Sequence, residues 1–183
     1  MAIYGPTIVP HDTYQDFRDA VNGNGYDMDG FYGPQCWDGA DLIWYQYGLT
    51  LYTGPLGYAY ECWTVSKDAN AVGPFTALTG IENIKRGDIL VWGSYAFGGE
   101  AGHIAYADED YNGSNYMSIL GQNQGPGAGI SGLPFSVNTL PINGVIGIFR
   151  NENWQTTPPP TRSQKKSKFP WPVAWSNWSS FEL

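Results

Sequence analysis

Thirteen residues, Tyr26 to Asp38 (YDMDGFYGPQCWD), constrain this chain more than any other stretch. Asp27 and Asp29 alternate with other residues, and Gly30 and Gly33 follow, so the segment starts as a turn-rich loop. At Cys36 its character changes. Ala40, Ile43, Trp44 and Tyr47 recur at helical spacing and Gly48 stops the run, which predicts a central helix over 36–47. Any fold built on this sequence must set a loop of carboxylates directly on a helix N-terminus, with a cysteine at the junction.

The rest of the chain has to support that junction. Asp12 or Thr13 can cap a helix through about Val21, and Tyr14, Phe17 and Val21 give it an apolar face. Asn22 to Gly25 ends it. Residues 49–80 are mixed, with short helical pieces and glycine-proline loops. Beyond them the signal turns to strands: Ile89 to Trp92 after the turn Gly87-Asp88, then His103 to Ala107, Tyr116 to Leu120 and Gly144 to Phe149. Helices first and an antiparallel sheet after them is an α+β pattern. With 183 residues the chain suffices for one domain with a real core, expected over 1–153. Three successive prolines and a basic run make 154–168 a linker, and 169–183 is a Trp-rich C-terminal tail.

Composition excludes some classes. The net charge of -8 argues against nucleic-acid binding, which needs clustered Lys and Arg. No stretch is apolar enough to span a bilayer. Met1 to Pro10 carries no Lys or Arg and no long apolar run, so no secretory signal is expected. A 16% aromatic share, with 8 Trp and 13 Tyr, reads either as an aromatic-rich core or as a surface that stacks on sugars. The second reading keeps a non-catalytic wall- or glycan-binding module as the rival to an enzyme.

There are two cysteines and two histidines. A thiol is nucleophilic as thiolate, which a helix N-terminus and a nearby imidazole both favour. Cys36 has that position, whereas Cys62 reads as a core residue. His11 lies in a Pro-rich lead-in with nothing around it. His103 opens a strand after a Gly-rich loop and is the better base. Asn123, past the third strand, can orient an imidazole, and a turn role for it stays open. Gln35 can donate to an oxyanion through its side chain or lie near the Cys36 N–H. Asp27, Asp29, Phe31, Gly33 and Asp38 fall at positions 1, 3, 5, 7 and 12 of a loop, offsets that suit calcium, although Gly30 is at position 4 and no terminal Glu is present.

These pieces resemble the CHAP family (cysteine, histidine-dependent amidohydrolases/peptidases). The residues that carry the likeness are Asp27-Met28-Asp29-Gly30 through Gly33-Pro34-Gln35-Cys36-Trp37-Asp38, Arg86-Gly87-Asp88-Ile89, Gly102-His103-Ile104-Ala105 and Gln122-Asn123, in family order. The likeness is strongest to calcium-binding domains of phage endolysins and virion-associated lysins. It implies a papain-like α+β fold with N-terminal helices packed on an antiparallel sheet. It implies cleavage of an amide bond in bacterial peptidoglycan, either in stem or cross-bridge peptides or at the muramic acid to alanine bond. Cys36 would be the nucleophile, His103 the base, Asn123 in the triad or its polar surround, and Gln35 near the oxyanion. Ca²⁺ would be held by the Asp27, Asp29 and Asp38 side chains and the Phe31 and Gly33 carbonyls. The resemblance also implies synthesis in a host cytoplasm and action at the wall after release, or carriage in a virion tail. The likeness does not extend to the tail at 169–183, which reads as the first edge of a wall-binding module, a peptide that docks such a module or a partner subunit, or a strand-like tail that packs back on the body. Many relatives have Glu two residues before the Asn, where this chain has Gly121. The orienting role would therefore fall to Asn123, or to an acid such as Asp108 or Glu109.

Overall fold

The structure is a computed structural model and describes residues 11–156. The tail at 169–183 and the linker from 157 onward lie outside the described residues. Thr13 starts α1 (Tyr14–Val21): its Oγ1 accepts the Asp16 N–H at 3.1 Å. As the spacing predicts, Tyr14, Phe17 and Val21 are the buried face. The central helix α2 (Cys36–Gln46) follows, and then two single-turn helices, α3 (Glu61–Thr64) and α4 (Lys67–Asn70).

Six strands come next: β1 (Phe75–Leu78), β2 (Ile89–Trp92), β3 (His103–Ala107), β4 (Tyr116–Gly121), β5 (Ser136–Pro141) and β6 (Val145–Asn151). They form one sheet in the order β1-β6-β2-β3-β4-β5, antiparallel throughout. This is the α+β architecture the sequence implied. The helix α5 (Glu152–Thr156) follows β6 directly. Among the described residues no helix is long and apolar enough to cross a membrane.

Strand alternation splits the core in two. Ile89, Val91, Ile104, Tyr106, Leu120 and Phe149 face the helices, where they meet Phe17, Leu42, Ile43 and Trp44. Leu90, Trp92, Ala105, Ala107, Ile119 and Ile148 face the other way and are covered by loop residues such as Ile81, Ile84, Phe97 and Tyr111. The helix α2 is fastened to β3 where the Tyr106 hydroxyl donates to the Gly39 carbonyl at 2.9 Å. That contact sets the start of α2 over the beginning of β3 and the end of β4.

The body runs past the expected boundary at 153. Trp154 is buried, its ring packs on Tyr14 and Phe17 at 5.6 and 5.2 Å, and its Nε1–H donates to the His11 carbonyl. Burying one tryptophan against two aromatic rings outweighs the freedom a linker would keep at this point. Residues 154–156 therefore belong to the domain, and any linker starts after them.

Candidate active site

Cys36 is the first residue of α2 and Gln35 is its N-cap. Both oxygens of the buried Asp38 take backbone N–H groups: Oδ1 from Met28 at 2.7 Å and Asp29 at 3.4 Å, Oδ2 from Gln35 at 2.9 Å. One carboxylate thus caps the helix and gathers the preceding loop. The half-buried Cys36 places its thiol beside the backbone N–H groups of Ile104 and Trp37. Burial pushes it up to about 11, against the pull of those N–H groups.

His103 opens β3 and neighbours Ile104, so the imidazole and the thiol arrive at the same strand end. The ring shares the Trp92 side of the sheet, 5.5 Å from that indole and 5.1 Å from Phe97. Its Nε2 lies 3.1 Å from Gln124 Oε1. Burial pushes the imidazole down to about 4, opposed by the Gln124 contact. Among the described residues no hydrogen bond joins the thiol to the ring, whose Nε2 is taken up by Gln124. Gly102, at φ +67, turns the loop into β3; a Cβ there would collide with the Trp92 carbonyl.

Two expectations about the polar surround are narrowed to one of their alternatives. Asn123 does not reach His103. It sits in the left-handed region at φ +50, its Nδ2 donates to Gln35 Oε1 at 2.6 Å and its Oδ1 accepts the Gly129 N–H at 2.8 Å. That backbone turn aims Asn123 toward the loops and returns Gln124 to the histidine. Asp108 and Glu109 are engaged elsewhere, Asp108 by Arg18 and Arg86 and Glu109 by the Ser118 N–H. Second, the Gln35 amide is not a free donor: its Nε2 gives to the carbonyls of Tyr32 at 2.8 Å and Ile130 at 3.1 Å. The position of Gln35 just before the Cys36 N–H is what remains of the oxyanion expectation.

Sequence reasoning gave no role to Gln122 or Gln124. Gln122 is fully buried; its Oε1 accepts the Tyr26 N–H at 2.7 Å, and its Nε2 donates to the Tyr26 and Gln35 carbonyls at 3.0 and 2.9 Å. It clips both ends of the opening loop to β4. The signal for both residues is a run of three amide side chains straight after a buried strand, since buried amides must find partners. His11 lies away from the site, with its ring on Phe17, and Cys62 is a buried free thiol that burial pushes far up.

Asp27, Asp29 and Asp38 converge, with carboxylate oxygens all within 4.8 Å of one another. The ion pairs of the described residues engage Asp19, Asp68, Asp88 and Asp108, and none engages these three. One oxygen of Asp27 takes the Gly30 N–H and one of Asp29 takes the Phe31 N–H, so each keeps its other oxygen. Three hard oxygen donors on a loop braced from both sides fit an oxygen-preferring cation such as Ca²⁺. Phe31 and Gly33 lie on the adjoining bends, and among the described residues their carbonyls accept no hydrogen bond. Burial, with Asp29 adding repulsion, pushes Asp38 up to about 6.

The chain is 34% identical over 114 residues to a D-alanyl-L-alanine endopeptidase of Streptococcus phage B30, covering 62% of this chain and 25% of that protein. It superposes on the crystal structure of a wild type endolysin, LysIME-EF1, with a TM-score of 0.59 and 25% identity, covering 75% of this chain and 62% of the endolysin. The chain therefore spans a quarter of the phage protein's length and under two thirds of the endolysin's. Residues 22–123, from the end of α1 to the Asn123 turn, match the CHAP domain and take in the carboxylate loop, Cys36 and His103. The chain belongs to the CHAP domain family.

Proposed function

We propose that this chain is a peptidoglycan hydrolase of phage-mediated lysis that cuts an amide bond of the bacterial wall through Cys36. The observation that carries the reading is the meeting of one thiol, on a helix N-terminus, with the strand end that holds His103, in a chain of this family. Sulfur attacks the amide carbonyl carbon and the thiol proton passes to the imidazole. Charge grows on the carbonyl oxygen, where the Cys36 N–H and the positive end of α2 are the available donors. The imidazolium returns its proton to the amide nitrogen, and the C–N bond breaks. Water then adds to the thioester carbon, giving a proton to His103, and the C–S bond breaks to release a carboxylic acid and the thiol.

The named activity of the phage B30 protein favours peptide cleavage over the muramic acid to alanine bond. Asp27, Asp29 and Asp38 would hold calcium, with the Phe31 and Gly33 carbonyls completing the shell. When bound, the ion neutralises three crowded carboxylates and stiffens the loop that enters α2. The chain's own residues do the rest: Asp38 caps α2, and Gln122 ties Tyr26 and Gln35 to the sheet. The site of action is the wall, reached after release from the host cell or from a virion. The Trp-rich segment 169–183 is the candidate for docking to a wall-binding module or partner.

The test is Cys36→Ala, read by clearing of a cell-wall suspension, by new amino groups, and by mass spectrometry of the fragments. Clearing and new amines should both vanish with the melting temperature unchanged. Amine release that survives the substitution would overturn the reading.

A further inference from the structure

Gln124 lies three residues past the end of β4 and has been given no function so far. Its side chain is almost fully enclosed, yet every polar atom of the amide is satisfied. Nε2 donates to the Ile119 carbonyl at 2.9 Å and to the Ser136 carbonyl at 2.8 Å. Both partners are main-chain acceptors, on β4 and β5, so the amide has only one acceptable orientation. A flipped amide would aim its oxygen at two carbonyl oxygens and lose both of these donor contacts. Oε1 is thereby fixed toward His103 Nε2 at 3.1 Å. An amide oxygen only accepts, so the ring nitrogen facing it must carry a proton.

We propose that Gln124 is the positioning residue of His103: it holds the imidazole as the Nε2–H tautomer and leaves Nδ1 as the nitrogen that exchanges protons with Cys36. The inference rests on His103 being the proton carrier of the proposed hydrolase. Two features make the arrangement specific. Trp92 and Phe97 pack against the ring, so its plane as well as its tautomer is restricted. Gly121 leaves the space that Gln124 uses, because a Cβ at 121 would stand 2.7 Å from Gln124 Oε1 and 2.7 Å from the Ala105 Cβ. The side chain missing at 121 and the amide arriving from 124 are two halves of one fitting. Gln124 does not touch the scissile bond and acts only through the imidazole. Being neutral, it orients the ring without the charge a carboxylate would add beside the imidazolium.

The experiment is a long-range ¹H–¹⁵N spectrum of the uniformly ¹⁵N-labelled protein near pH 7. His103→Asn identifies the His103 signals against those of His11. The expected wild-type pattern is a protonated Nε2 and an unprotonated Nδ1. In Gln124→Leu the single tautomer should be lost, and kcat on soluble wall fragments should fall at least 10-fold with KM little changed. A wild-type Nδ1–H tautomer would overturn the proposal. So would Gln124→Leu with the Nε2–H tautomer and kcat intact. If that variant fails to fold, the wild-type spectrum alone decides. Full lysis by His103→Ala would instead remove the base assignment, and the tautomer result would stand apart from it.

Discussion

Asn123 Nδ2 donates to Gln35 Oε1 at 2.6 Å, joining residues 88 positions apart at the entrance to α2. The same two amides hold Tyr32, Gly129 and Ile130, so the loop before Cys36 and the loop after β4 are laced together at one point. Asn123 is also suited to its left-handed φ of +50. Asn123→Ala loses both side-chain bonds and strains the backbone, and should destabilise by about 2–3 kcal/mol. Asn123→Gly keeps the backbone conformation and should lose less. Wall-clearing rates should fall in both, because Gln35 loses a partner beside Cys36, the proposed nucleophile. Urea unfolding together with turbidity clearing checks this; equal stability of the two variants would show that the left-handed turn costs alanine nothing.

The carboxylate cluster has a larger metal-free role at Asp38, which caps α2, than at Asp27 and Asp29, which accept one loop N–H each. Asp38 accepts three backbone N–H groups, so Asp38→Asn would point an amide N–H at one of these donors. It should destabilise the chelated protein by about 1–3 kcal/mol. Asp29→Asn, on the exposed part of the loop, should leave the chelated protein nearly unchanged. Added calcium should raise the wild-type melting temperature in proportion to the logarithm of its excess over Kd, and either substitution should shrink that rise. Thermal melts in chelator and across a calcium titration separate the two effects. No calcium response in the wild type would remove the metal site.

Packing against the sheet makes a sharper prediction. Gly147 sits in β6 opposite Val91, and the Trp63 indole lies directly on its Cα. A Cβ there would penetrate the indole ring. Trp63 also packs on Phe149 at 5.3 Å, so moving it off position 147 would disturb that contact. Gly147→Ala should cost about 3 kcal/mol, at the upper end of overpacking effects. The double variant Gly147→Ala with Trp63→Leu should recover part of that loss in denaturant unfolding, and no recovery would contradict the packing account.

What the sequence made legible follows burial. The four inner strands, β6, β2, β3 and β4, were readable as apolar runs because inner strands are covered by neighbours and by core on both faces. The two edge strands, β1 (FTAL) and β5 (SVNTLP), are not legible as strands in the sequence. The first is only four residues long between glycine-containing turns, and the second is mostly polar and ends in proline, as edges often do. The place of Cys36 at a helix start and the convergence of the three carboxylates are readable because their spacing is local. Gln124 was not, because its role depends on a left-handed turn at Asn123, and a strand alternation cannot be carried through such a turn. The boundary at 153 failed for a related reason: Trp154 is held by residues more than a hundred positions earlier.

The His103 environment predicts how the protein responds to acid. Burial pushes its imidazole from 6.5 down to about 4. A base must be unprotonated, so the acid limb of kcat/KM should fall below 6.5, not at it. The same shift acts on stability with a definite sign. Below 6.5 the unfolded chain takes up a proton that the folded chain refuses until about 4. Folding stability from this group is therefore complete above 6.5, falls as pH drops through that window, and loses about 3 kcal/mol at its foot. Asp38 and Asp41, raised from 3.8 to about 6 by burial, act in the opposite direction across much of the same range: the folded state keeps protons that the unfolded state releases. The net slope thus hides the histidine, and a difference measurement exposes it. His103→Gln retains a donor toward Gln124 and cannot titrate. Its stability relative to wild type should improve steadily between pH 6.5 and pH 4 in urea unfolding under chelation. A constant difference across that range, or a wild-type acid limb centred at 6.5, would show that His103 titrates as an ordinary exposed histidine.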